Sequence, residues 1–120
     1  MRENVIKNKS FQFAIRIVKL YQFLCNEKKE FILSKQLLRS GTSIGAMVRE
    51  AEHSESKADF IHKLAIAQKE INETIYWLEL LKETNYLTIQ EFESIYADAV
   101  EIIKLLTSII KNTKSNTNNL

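Results

Sequence analysis

Apolar side chains recur along this chain in steps of three and four, the repeat that gathers them on one side of an α-helix, and the single alternation of a half-buried strand is missing. The first such run covers about Ser10 to Cys25, with Ala14, Ile17, Val18, Tyr21, Leu24 and Cys25 on one face. Asn26-Glu27-Lys28-Lys29 then reads as a turn. A second run covers about Phe31 to His53, where Leu37, Gly41, Ile44, Val48 and Ala51 follow one another in alternating steps of four and three, the seam spacing of helix bundles. Ser56 with Asp59 three residues on is a capping pattern, and Phe60, Leu64, Ala67, Ile71, Ile75 and Leu78 continue a stripe toward Lys82. Thr88-Ile89-Gln90-Glu91 is a capping box that opens a fourth helix with Phe92, Ile95, Ala99, Ile102, Leu106 and Ile109 inward.

Four helices joined by a few residues each pack as antiparallel neighbours, so the expected fold is all-α: an antiparallel up-down-up-down four-helix bundle. The absence of proline from all 120 residues fits this reading. Residues 1–113 form one domain, since a chain of this length with 45% hydrophobic residues can bury a core of its own. Asparagine, threonine and serine dominate from Asn112 onward without any repeat, and residues 114–120 are expected to be a flexible tail.

Both glycines of the chain, Gly41 and Gly45, fall inside the second helical pattern and not in turns. Glycine in a helix interior costs about 1 kcal/mol against alanine, so two of them four residues apart imply that another backbone approaches closely there. A second apolar surface is visible on the third helix, where Ile66 and Trp77 lie together about 100° or more from the Phe60-Leu64-Ile71 face, with Leu80 beside them. Two readings fit: a core stripe that wraps broadly around the helix, or a subunit interface, where aromatic residues are enriched.

The formal net charge of +2 hides an uneven distribution. Met1 to Glu50 carries ten Lys and Arg against four Asp and Glu, and the remainder carries seven against eleven. On the second helix Lys35, Arg39, Thr42, Ala46 and Arg49 are spaced four, three, four and three, a basic stripe opposite the packing seam. Lys9, Arg16 and Lys19 make a similar outer stripe on the first helix. Such a stripe is either a solvated face or a surface for phosphate contact, in which case binding is weakly sequence-specific and salt-dependent; no stacking aromatic is evident along it.

Nothing in the pattern supports catalysis. Glu50-Ala51-Glu52-His53 contains Glu-x-x-His and Asp59 is followed by His62, but these pairs flank one inter-helix turn, whereas a di-iron site needs ligands converging in the middle of a bundle. No metal and no cofactor is expected. Cys25, the single cysteine, lies on an apolar face without a basic activator and reads as structural; one cysteine also excludes an internal disulfide. With no signal-peptide run at Met1-Arg2-Glu3-Asn4 and no span of about 18 apolar residues, a cytoplasmic protein without a membrane partner is expected.

The segment Gln36-Leu37-Leu38-Arg39-Ser40-Gly41-Thr42-Ser43-Ile44-Gly45-Ala46, followed by Arg49-Glu50-Ala51, Asp59-Phe60-Ile61, Ile66-Ala67, Lys69-Glu70 and Trp77-Leu78-Glu79-Leu80-Leu81, resembles the bacterial 23S rRNA intervening-sequence proteins. The likeness runs from the first helix through the fourth. It implies a four-helix bundle that assembles as a ring-like homopentamer, with no known catalytic residues, and it extends to an accessory protein of diversity-generating retroelements that binds nucleic acid and a reverse transcriptase. Met47 stands where many members have asparagine, and the charge is far milder than that of the retroelement relatives. Two functions follow as expectations: an oligomeric module that contacts RNA or DNA through Lys9, Arg16, Lys19, Lys35, Arg39 and Arg49, or an oligomeric scaffold for protein partners.

Overall fold

The computed structural model describes residues 4–118, with side chains to residue 116. Four helices account for most of them: α1 Val5–Asn26, α2 Leu33–Ala51, α3 Lys57–Glu83 and α4 Ile89–Asn118. Among the described residues there is no strand, and each helix runs beside two neighbours around a ring, with one core shared by all four. Cross-helix contacts fix the directions. Lys7 meets Glu52 while Ile17 meets Gly41, Ser40 meets Thr74 while Glu50 meets Lys63, Gln68 meets Thr107, and Lys9 and Arg16 meet Glu101 and Asp98. Every adjacent pair is antiparallel, as the short connections require.

The core stripe of α2 is the one expected, with Leu37, Gly41, Ile44, Val48 and Ala51 all buried, and Gly45 with them. In α4, Phe92, Ile95, Ala99, Ile102 and Leu106 are buried and Ile110 takes the inward place expected of Ile109. In α3, Leu64, Ala67, Ile71 and Leu78 form the stripe together with Thr74 and Leu81. The face of α1 is rotated from the expected one: Ile6, Ser10, Phe13, Ile17 and Leu24 are buried, Ala14, Tyr21 and Cys25 are half-buried, and Val18 is exposed. Apolar residues stand at so many angles around this helix that spacing alone leaves its buried side open.

Helix ends follow local chemistry. Asn4 caps α1 by accepting from the Lys7 N–H at 3.1 Å, so that the helix begins at Val5, five residues ahead of the expected start. Ser10 is instead an interior residue that donates back to the Lys7 carbonyl. Ser56 accepts from the Asp59 N–H at 3.0 Å, and Thr88 and Glu91 complete a reciprocal box at 2.8 and 3.1 Å. The start of α2 has a different solution. Glu30, only 8% exposed, turns its carboxylate onto the N–H groups of Ile32, Leu33 and Ser34 at 3.2, 3.0 and 2.7 Å. Burial alone would raise its pKa, but these donors hold it below the ordinary glutamate value. α4 runs on to Asn118 and so continues through the segment read as a tail; residues 119–120 lie outside the described range. Thr113 contributes by returning its hydroxyl to the Ile109 carbonyl at 2.7 Å.

The two glycines face α1. A Cβ on Gly41 would stand 2.7 and 2.8 Å from the Cγ atoms of buried Ile17, and one on Gly45 would stand 3.4 Å from the Ser10 carbonyl oxygen. The first distance is a collision with a stiff β-branched side chain, whereas the second is ordinary contact. Gly41→Ala is therefore expected to lower stability by about 1–2 kcal/mol, because overpacking outweighs the helix-propensity gain of about 1 kcal/mol. Gly45→Ala should be neutral or slightly stabilising, and Gly45→Leu destabilising by about 1–3 kcal/mol. Urea denaturation of the three variants separates these cases, and equal effects of alanine at both positions would contradict the packing described.

Candidate functional site

The uneven charge along the chain acquires a structural meaning once the helices are paired. Basic residues of α1 and α2 meet acidic residues of α4 and α3. Lys9 pairs with Glu101 at 2.9 Å. Arg16 reaches Asp98 at 2.7 Å, the Ser94 hydroxyl at 3.0 Å and the Ser94 carbonyl at 3.2 Å. Arg39 bonds Glu73 through one Nη and approaches Glu70 at 3.5 Å through the other. Arg49 lies over the exposed ring of Phe11, 5.0 Å from its centroid, so an aromatic does accompany the basic residues where the sequence pattern had suggested none. Lys19 and Lys35 are exposed and make no ion pair among the described residues. The six basic positions thus do not form one sheet of charge: Lys9 and Arg16 lean toward α4, Arg39 toward α3, and Arg49 toward α1.

Arg39 ties the basic stripe to the second apolar surface. Glu73, held by Arg39, also accepts the Trp77 indole N–H at 3.2 Å. These two donors, with Arg39 the larger influence, keep the Glu73 carboxyl below the ordinary glutamate value, and the Arg39 guanidinium is correspondingly raised. Trp77 packs partly on the core and meets Tyr76 edge to face at 5.0 Å. Tyr76 is 55% exposed, and Ile66 and Leu80 are half-buried outside the core cluster. The α3 surface is therefore partly a wide core stripe, through Trp77, and partly uncovered. Tyr76 is a residue the spacing did not single out, because its neighbour Trp77 carried the signal.

Beneath this face the α2–α3 seam is closed by a buried hydroxyl pair. The Thr74 and Ser40 hydroxyls lie 3.0 Å apart, both residues are inaccessible to solvent, and the chain of bonds closes with Ser40 donating to Thr74 and Thr74 donating to the Glu70 carbonyl of its own helix at 2.8 Å. Two buried hydroxyls each satisfied in this way hold the register of the two helices without an orphaned polar atom.

The carboxylates of the Glu-x-x-His and Asp-x-x-His patterns have other partners. Glu50 pairs with Lys63 at 3.0 Å, Glu52 with Lys7 at 3.2 Å, and Asp59 accepts the Glu55 N–H. His53 and His62 are exposed around the α2–α3 turn. Among the described residues no three His, Cys, Asp or Glu converge as a metal site. Half-buried Cys25 has its Sγ 3.7 Å from the Ser34 hydroxyl. No helix of the described chain is long and apolar enough to cross a membrane.

A small-residue second helix pressed against the first, in an antiparallel four-helix ring, is the arrangement in which comparison with known proteins becomes decisive. The family described as 23S rRNA-intervening sequence protein matches residues 2–108. The chain belongs to that family. Its fold is also close to a crystal structure of a protein of unknown function from the S23 ribosomal protein family of Bacteroides thetaiotaomicron, with a TM-score of 0.87 and 65% sequence identity over 88% of this chain and 98% of that one. No curated protein matches.

Trp77 is the only tryptophan, which makes the Arg39–Glu73–Trp77 contact observable in solution. Trp77 emission in the wild type should titrate with a midpoint below the usual glutamate value of about 4.3, and that midpoint should rise toward it in Arg39→Met. Far-UV circular dichroism in the same titration establishes that the helices persist; an identical midpoint in both proteins would show that Arg39 does not govern Glu73.

Proposed function

We propose that this family member is a non-catalytic, self-associating helical module, working in the reducing cytoplasm to which its lone cysteine is suited, and that the α2–α3 face is its association surface. The observation that carries the reading is the linked set Arg39, Glu73, Trp77 and Tyr76. Arginine, tryptophan and tyrosine are the residue types that dominate binding energy at interfaces. Here they are pre-ordered by an ion pair, an indole hydrogen bond and an edge-to-face ring contact, so little side-chain freedom remains to be lost on association. Half-buried Ile66 and Leu80 supply apolar area beside them.

Light scattering at micromolar concentration should give a mass several-fold above 14.0 kDa. Tyr76→Glu, on a residue more than half exposed, should lower that mass without changing helicity, and Trp77 emission should shift blue as the wild-type concentration rises. A monomer throughout, or a Tyr76→Glu protein of unchanged mass, counts against the assignment.

The nucleic-acid reading retains one specific support: exposed Lys19 and Lys35 lack carboxylate partners among the described residues, and Arg49 with Phe11 offers a cation beside a partly free ring. On that reading, binding to structured RNA at low salt should fall steeply with added salt and be weakened by Lys19→Glu with Lys35→Glu at unchanged oligomer mass. Absence of binding at low salt leaves the protein-scaffold function alone.

A further inference from the structure

The four seams of the bundle are not closed alike. Turns of a few residues join α1 to α2, α2 to α3 and α3 to α4, but nothing covalent draws α1 and α4 together. The α1–α2 seam is pinned by the contact of Gly41 with Ile17, and the α2–α3 seam by the buried Ser40–Thr74 pair. Along α1–α4 lie two grooves open to solvent, of about 410 and 400 Å³. Phe13 and Ile102 line the first, and Leu20, Phe23 and Ile95 the second. Arg16 borders both. Its guanidinium crosses from α1 to α4 between them, and Lys9–Glu101 crosses at the first.

The polar groups spanning this seam are 41–53% exposed. Exposed ion pairs contribute little each and are screened by salt, and where a groove open to solvent separates two helices their side chains make no dispersion contact with each other. Local opening draws on regions with few buried contacts and with hydrogen bonds open to solvent, and this seam meets both conditions. We infer that the α1–α4 seam is the edge along which the bundle opens, with Arg16 as its latch. Arg16 makes three contacts to one turn of α4, two of them to Ser94 and one to Asp98, so a single side chain fixes both the spacing and the register of the closing helices. Opening uncovers an apolar strip that includes Phe13, Leu20, Ile95 and Ile102, four residues otherwise shielded by the opposite helix.

Native-state hydrogen exchange of the full chain, read by mass spectrometry at low salt, tests this. Arg16→Met keeps the aliphatic stem and removes the three contacts; amides around Ser94–Ile102 of α4 and Gln12–Leu20 of α1 should exchange about three- to tenfold faster, while those of α2 keep their wild-type rates. Arg16→Lys should fall between the two. Lys63→Met deletes an ion pair of the same kind at the α2–α3 seam and should leave exchange in α3 unchanged, because buried groups close that seam. In the wild type, raising salt to about 0.5 M should speed the α1 and α4 segments before any other. Unchanged α4 exchange in a folded Arg16→Met protein overturns the proposal. Should that variant unfold outright, the wild-type salt series decides: seam amides that rise no earlier than those of α2 and α3 overturn it equally.

Discussion

The close approach of α2 to α1 is the constraint around which the other contacts are arranged. At Gly41 there is no room for even one added carbon beside Ile17, and at Gly45 the Ser10 backbone comes within van der Waals reach. Because α2 meets α1 through a side stripped of side chains, its remaining flank carries the residues that engage α3: Ser40 inside, Arg39 and Glu50 outside. α1, fixed in rotation by the same contact, is left to present Lys9 and Arg16 toward α4. A larger residue at Gly41 would disturb the turn of two helices about their axes and the polar contacts that depend on it.

Part of the charge in this molecule is paired between helices. The basic surplus of the first fifty residues is answered in part by acidic groups of α3 and α4, where Arg39, Arg16 and Lys9 neutralise carboxylates across seams. Ion pairs on a surface add little stability individually. Their value here is orientation: each links a named position on one helix to a named position on its neighbour, and one of them places an indole beside an exposed phenol.

Periodicity carried the architecture well where apolar and polar residues separate cleanly, as in α2 and α4. It was ambiguous in α1, where Phe11, Phe13, Ile15, Ile17 and Val18 ring the helix and only neighbours decide that Phe13 goes in and Phe11 stays out. Capping chemistry was legible at Ser56 and Thr88 because the partner is three residues away, but not at Glu30, whose charge argues for solvent until three N–H groups surround it. Glycine misleads in its usual role. Both are spent in a helix, so the left-handed positions after α1 and α3 fall to Lys29 and Asn85. The basic stripes were visible as faces, yet spacing within one helix holds no information about which carboxylate on another helix stands opposite, and so Arg39 and Trp77 read as parts of separate surfaces.

Unequal seams also bear on how the chain finds this fold. Three seams join helices adjacent in sequence, and each can form as a local hairpin. The fourth brings Arg16 to Asp98, 82 positions further along the chain. The entropy of closing so long a loop must be met before any contact across it is gained, and the grooves there mean that few such contacts wait. By chain entropy alone the α1–α4 seam is therefore the costliest of the four to close, since it joins the two ends of the helical order whereas each other seam joins neighbours in sequence.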